Sequence, residues 1–247
     1  MLKNFLVTIA YDGTDYHGWQ VQPNGITVQQ AVQDGIERIL GRRENIIGCS
    51  RTDAGVHANE FCFNMRTEKE INPFRFVGAM NAVLPDDIAV KSCVEVPVEF
   101  HARYDCLGKE YIYKIWNSPQ RNPFCEGRYL HYKKELDSEL MNSQAQYFCG
   151  KHDFSTFCAS KSDVEDTVRT VEYCSVSRNE EEVIFRIKAD GFLYNMVRIA
   201  VGTLLEISEG KIKKDSLAEI IDSLDRKNAG RTAPAHGLYL NKVFYGK

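Results

Sequence analysis

Arg51 and Asp53 stand two residues apart in Ser50-Arg51-Thr52-Asp53-Ala54-Gly55-Val56-His57-Ala58. A carboxylate on a short polar loop can act as a nucleophile or accept a proton, and a planar guanidinium beside it can bind phosphate or stack on a base. Such a loop needs a rigid support. Directly after it, Glu60-Phe61-Cys62-Phe63-Asn64-Met65 puts Phe61, Phe63 and Met65 on one face at period two, the pattern of a half-buried strand. Gly55 allows a sharp turn or the close approach of another molecule, and Ala54 and Ala58 keep the loop narrow. Taken as an isolated Asp-Ala-Gly, the same residues also fit an Asx-turn in which Asp53 bonds its own backbone.

The elements around the loop follow from periodicity. Phe5 to Tyr11 reads as a first strand, ended by Asp12-Gly13. Thr27 with Gln30 forms a capping box, and Val28, Ala31, Val32, Ile36, Ile39 and Leu40 recur at helical spacing until Gly41. Asn72-Pro73 opens a second helix whose face is Phe74, Val77, Met80 and Leu84, closed by Pro85, and Ile88 to Val94 reads as a strand. Further on, Tyr111, Tyr113 and Ile115 alternate with Ile112, Lys114 and Trp116 in a strand. A helix carrying Leu136, Leu140, Met141 and Phe148 comes next, then a hairpin pairing 170–176 with 183–189. An apolar helix from Met196 ends near Gly210, a last helix carries Leu217, Ile220, Ile221 and Leu224, and 238–245 is a closing strand. The alternation predicts an α+β fold of two halves, 1–100 and 101–247, each a mainly antiparallel sheet with helices on one face and a cleft between them. The boundary is expected between Val98 and Tyr104.

Composition is that of a globular protein. No apolar run approaches the roughly 20 residues needed to span a bilayer, and the N-terminus lacks the basic and apolar regions of a signal peptide, so a cytoplasmic location is expected. The eight cysteines are scattered without a Cys-x-x-Cys, which favours buried free thiols over a zinc site or redox pair. A net charge of −3 would not by itself suggest nucleic acid. Recognition needs only a local basic face, however, and Arg42, Arg43, Arg51, Arg66, Arg103, Lys109, Arg198 and Arg231 are candidates for one.

The loop nonamer resembles the signature of the pseudouridine synthases that modify the anticodon arm of transfer RNA, the TruA family. Tyr11-Asp12-Gly13-Thr14-Asp15-Tyr16-His17-Gly18-Trp19-Gln20 with Gln22-Pro23-Asn24 is similar to the family's opening motif. Phe100-His101-Ala102-Arg103 and Lys109-Glu110-Tyr111-Ile112-Tyr113 are similar to its central one. Asp153 to Phe157, Asn195-Met196-Val197-Arg198 and Ala233 to Leu240 resemble its C-terminal landmarks, in family order. Ser50 departs from the pattern, since many bacterial members carry glycine there.

The resemblance implies two related α+β halves whose sheets run together, a homodimer, and a tRNA pseudouridine synthase that acts without cofactor or metal on the anticodon stem and loop. It makes Asp53 the catalytic residue, either a nucleophile at C1′ or a base on the 2′ proton, the two options chemistry leaves open. Arg198 becomes the cationic partner that keeps Asp53 ionised, and Tyr111 the ring that stacks on uracil. A uridine in a helical arm has to leave its stack, and Arg51 is placed to fill the gap, with Leu240 an apolar wall against the base. His57 and His236 are available acid-base groups without an assigned role. The rival readings are a catalytically silent RNA-binding protein of the same fold and a metal-dependent hydrolase built from Asp12, Asp15, His17 and His57, a set without recognised ligand spacing.

Overall fold

A computed structural model describes residues 1–159 and 166–246. In chain order the elements are β1 (Lys3–Tyr11), α1 (Val28–Leu40), β2 (Ile46–Gly48), β3 (His57–Thr67), α2 (Pro73–Val83), β4 (Ile88–Val96) and β5 (Cys106–Asn117). Then follow β6 (Leu130–Tyr132), α3 (Ser138–Ala145), β7 (Gly150–Asp153), β8 (Val168–Asn179), β9 (Glu182–Ala189), α4 (Met196–Ser208), α5 (Leu217–Asp222) and β10 (Leu238–Tyr245). The fold is α+β with a mixed, mostly antiparallel strand arrangement. It divides into two compact units, 1–107 together with 239–247, and 108–238.

In the first unit the strand order is β4-β1-β3-β10, with β2 added on β3. β1 is antiparallel to both neighbours, whereas β10 runs parallel to β3 through the pairs Tyr239↔His57 and Leu240↔Ala58. Phe5, Val7 and Ile9 alternate into the core with Phe61, Phe63 and Met65, all fully buried. The opposite face of β3 is buried as well, at Cys62 and Asn64, so the strand is not half-buried as its alternation suggests. Asn64 explains this: its amide donates to Asn4 Oδ1 (3.1 Å), its oxygen accepts from Ala102 N (2.9 Å), and Asn4 in turn donates to the carbonyls of Pro97, Val98 and Phe100. A buried amide network thus ties the segment 97–102 over that face, with every polar group partnered as burial demands.

Helix α1 starts as expected, Thr27 Oγ1 accepting from Gln30 N, and stops at left-handed Gly41. In α2, which Pro73 opens, Asn72 Oδ1 caps the first turn by accepting from Arg75 N, and Asn81 is stapled to β4 by two hydrogen bonds with Val90. Met80 and Leu84 are buried, but Phe74 is 88% exposed, because the buried stripe is set by Phe76 and Met80 instead. Arg42 and Arg43 are engaged locally, with Glu44 and with Asp34 and Glu37.

In the second unit the order is β5-β9-β8-β7, with β6 parallel to β5. The expected hairpin is present and longer, closing at Asn179↔Glu182. Helix α4 is buried on nearly all sides, with Arg198 and Glu206 its two charged residues. Three sequence expectations shift here, the first being Phe148, which is buried but follows α3 in a 3-10 turn, Gln146–Phe148. Leu136 is buried but precedes α3, whose cap is Asp137, and Leu224 lies beyond α5 with φ of 50° and an exposed side chain. All eight cysteines are free, and Cys49, Cys62, Cys93 and Cys174 are buried. No helix among the described residues is long and apolar enough to cross a membrane.

Candidate active site

The loop 50–56 is held by the last residue of β1 and the segment after it. Trp19 N donates to the Thr52 carbonyl (3.2 Å), the Tyr11 hydroxyl shares a 2.9 Å hydrogen bond with Thr52 Oγ1, and Gly55 N donates to the Tyr16 carbonyl (3.2 Å). Within the loop Val56 N donates to the Asp53 carbonyl (3.2 Å), closing a turn with Gly55 at φ of 75°. The indole of Trp19 is buried and stacked on Phe61 at 4.0 Å, which fixes the segment to the core of β3. Asp53 is consequently half-buried on a loop anchored on both sides, and Arg51 is exposed beside it.

His57, the first residue of β3, is buried and stacked on Tyr239 at 4.6 Å. Its Nδ1 accepts from Gly13 N (3.0 Å) and lies 3.0 Å from Asp12 Oδ1, and Asp12 accepts from the Thr14 amide and hydroxyl. His57 therefore joins the opening segment, the loop and β10. Leu240, the next residue along β10 from Tyr239, is fully buried opposite Ala58. Arg51, Asp53 and Leu240 all belong to this first unit.

Tyr111 and Arg198 belong to the second. Tyr111 is buried on β5 opposite Ile187 and meets Phe192 edge-on at 5.0 Å. Arg198 sits in the first turn of α4, where Nε donates to the Ala233 carbonyl (2.7 Å), Nη1 donates to Asn195 Oδ1 (2.9 Å), and its own carbonyl accepts from Ala233 N (3.0 Å). Close packing makes this possible. A Cβ on Gly202 would fall 1.7 Å from the Arg231 carbonyl oxygen, and one on Gly230 would fall 2.7 Å from Thr203 Cα, so two glycines let the segment 229–234 cross α4 in contact with its backbone. The Tyr113 hydroxyl, donating to the Pro234 carbonyl at 2.8 Å, fixes the same segment from β5. Burial raises the Tyr113 hydroxyl well above the ordinary tyrosine range, so it stays a proton donor, and burial likewise lowers His236 from its usual imidazole value.

Sequence periodicity did not reveal the supports: Tyr11, Trp19, His57 and the Ala233 carbonyl. The available signal was the presence of two motifs, 11–20 and 233–240, with more glycine and aromatic residues than a plain loop requires. The hydrolase set Asp12, Asp15, His17 and His57 is not assembled as a metal site, since among the described residues no group of three or more His, Cys, Asp or Glu side chains is placed to hold an ion.

A family model described as tRNA pseudouridine synthase matches residues 7–105 and 144–246. The tRNA pseudouridine synthase A of Acetivibrio thermocellus is 48% identical over 244 residues, covering 99% of this chain and all of the relative. The tRNA pseudouridine synthase A of Clostridium acetobutylicum is 45% identical, again over 99% of this chain and all of that protein. Likeness of this extent shows that the chain belongs to the tRNA pseudouridine synthase family.

Proposed function

We propose that this protein isomerises uridine to pseudouridine in the anticodon stem and loop of tRNA, working without a cofactor, in the cytoplasm and as a homodimer. The observation that carries the isomerase assignment is the likeness, at 48% and 45% identity over 99% of this chain, to proteins named tRNA pseudouridine synthase A. Isomerisation breaks the N1–C1′ bond and joins C1′ to C5. The C5 proton leaves to solvent and N1 gains one, so no oxidant, metal or phosphate donor enters the balance.

Asp53 is the reacting carboxylate, attacking C1′ or removing the 2′ proton. A half-buried carboxylate must be ionised for either, and Arg198 is the cation assigned to that task. Held by Ala233 and Asn195, its guanidinium has a fixed direction. Tyr111 supplies a ring for the uracil and exposed Arg51 a planar group to replace the flipped base, while Leu240, fully buried on β10, backs the loop's strand from within the core.

Release of tritium from tRNA carrying 5-tritiated uridine tests the assignment. The expected result is release by the wild-type protein and none by Asp53→Asn. A protein that retains tRNA on a filter yet releases no tritium is the silent RNA-binding protein instead.

A further inference from the structure

Tyr11 and Thr52 form a buried pair of hydroxyl groups 2.9 Å apart, one residue before Asp53. Hydrophobic packing does not ask for either hydroxyl. Tyr11 ends β1 opposite Ala58 and Ile88, and its ring rests tilted on Phe61 at 5.8 Å, contacts that phenylalanine would make equally well. Thr52 is a loop residue whose shape valine matches. The hydrogen bond between the two buried hydroxyls contributes little net stability, because each gives up water to make it. What the pair does supply is direction, since the bond fixes the Thr52 side-chain rotamer.

The Thr52 carbonyl is held at the same time by Trp19 N, so both the side chain and the peptide leading into Asp53 are pinned from the same segment of chain. Asp53 follows this double anchor directly, with no loop residue between them. Beyond Asp53 the turn is closed by Val56 N and tied by Gly55 N to Tyr16. The loop has no freedom to pivot without breaking one of these bonds, and misplacing a reacting group by about 1 Å costs on the order of 100-fold in rate.

We infer that Tyr11 and Thr52 are positioning residues for Asp53, their hydroxyl pair fixing the carboxylate's approach to the ribose. The inference rests on the assignment of Asp53 proposed above. The test compares Tyr11→Phe, Thr52→Val, Thr52→Ser and the double variant Tyr11→Phe/Thr52→Val, using single-turnover tritium release, tRNA affinity by filter retention, and thermal melting. Each of the first two is expected to slow single turnover about ten-fold or more at saturating enzyme, with tRNA affinity within a few-fold of wild type. The double variant should lose no more than the worse single one, because the two hydroxyls act through one bond. Thr52→Ser should recover much of the rate. Rates at wild-type level in both single variants, fully additive losses, or a loss confined to tRNA affinity would overturn the inference. If Tyr11→Phe fails to fold, the contrast between Thr52→Val and Thr52→Ser decides alone. Absence of tritium release by the wild-type protein would refute the assigned reaction, which separates that failure from failure of the hydroxyl pair.

Discussion

Gly18 and Thr52 approach so closely that a Cβ on the glycine would lie 2.3 Å from the Thr52 carbonyl oxygen, with Asp53 C at 3.1 Å and Ala54 N at 3.3 Å. All three neighbours are backbone, so none can swing aside, and Gly18 itself has φ of 82°, in the left-handed region. Gly18→Ala is expected to cost more than about 1 kcal/mol of stability, since alanine meets both strain and a clash. The same displacement moves the peptide into Asp53. Single-turnover release should therefore fall by more than the loss of folded protein explains, with melting temperature and rate measured on the same preparation. A rate loss that vanishes once corrected for the folded fraction would separate Gly18 from the loop's geometry.

Asp53→Asn keeps the shape of the side chain and removes its charge. Neither attack at C1′ nor removal of the 2′ proton survives that change, so isomerisation is expected to be abolished while tRNA affinity stays within a few-fold. Single-turnover tritium release and filter retention measure the two quantities separately. Substantial residual turnover would take Asp53 out of the reaction.

Glu209 provides a pH prediction outside the loop. Hydrogen bonds from Lys211 and Tyr132, together with Lys134, hold its carboxyl down from 4.5 to about 2. A folded-state pKa below the unfolded one adds stability that is present above pH 4.5 and lost as pH falls toward about 2. Glu209→Gln should accordingly lower the melting temperature at neutral pH and flatten its decline across that acid window. Melting curves of both proteins through the window check this, and parallel curves with a constant gap would sink it.

The elements legible in the sequence were those whose own residues carry the reason for them. Thr27 caps α1, Pro73 opens α2, and the alternation of β1 marks that strand. What the sequence could not show depended on partners distant along the chain. Phe74 fits a helical stripe, yet Phe76 is the residue that turns inward. β2, β6 and β7 span only three or four residues each, too short to show a period, and exist because β3, β5 and β8 offer them backbone partners. At the candidate site, family resemblance singled out Arg51, Asp53 and Arg198 because they lie in motifs. The hydrogen bonds holding them, Thr52 to Tyr11 and Arg198 to Ala233, cross 41 and 35 residues of sequence, so no local pattern could reveal them.

Arg51 offers the sharpest separation between two readings of one side chain. It is exposed at the edge of a loop whose backbone is fixed, a suitable place for a group that enters the space left by a flipped uridine. Flipping costs a few kcal/mol in a stacked, paired arm and much less in an unstructured strand. If Arg51 replaces the lost stacking, Arg51→Ala should slow modification of folded tRNA by about ten-fold or more, since about 1.4 kcal/mol corresponds to each factor of ten. The loss on a uridine in an unstructured oligonucleotide should be clearly smaller, because little stacking has to be replaced there. If Arg51 only neutralises phosphate, both RNAs lose alike, and the loss follows the salt dependence of binding. Single-turnover rates of the variant on the two RNAs at fixed salt, each relative to wild type, decide the matter. Equal losses on both substrates would exclude the flipping role and leave Arg51 as an electrostatic contact.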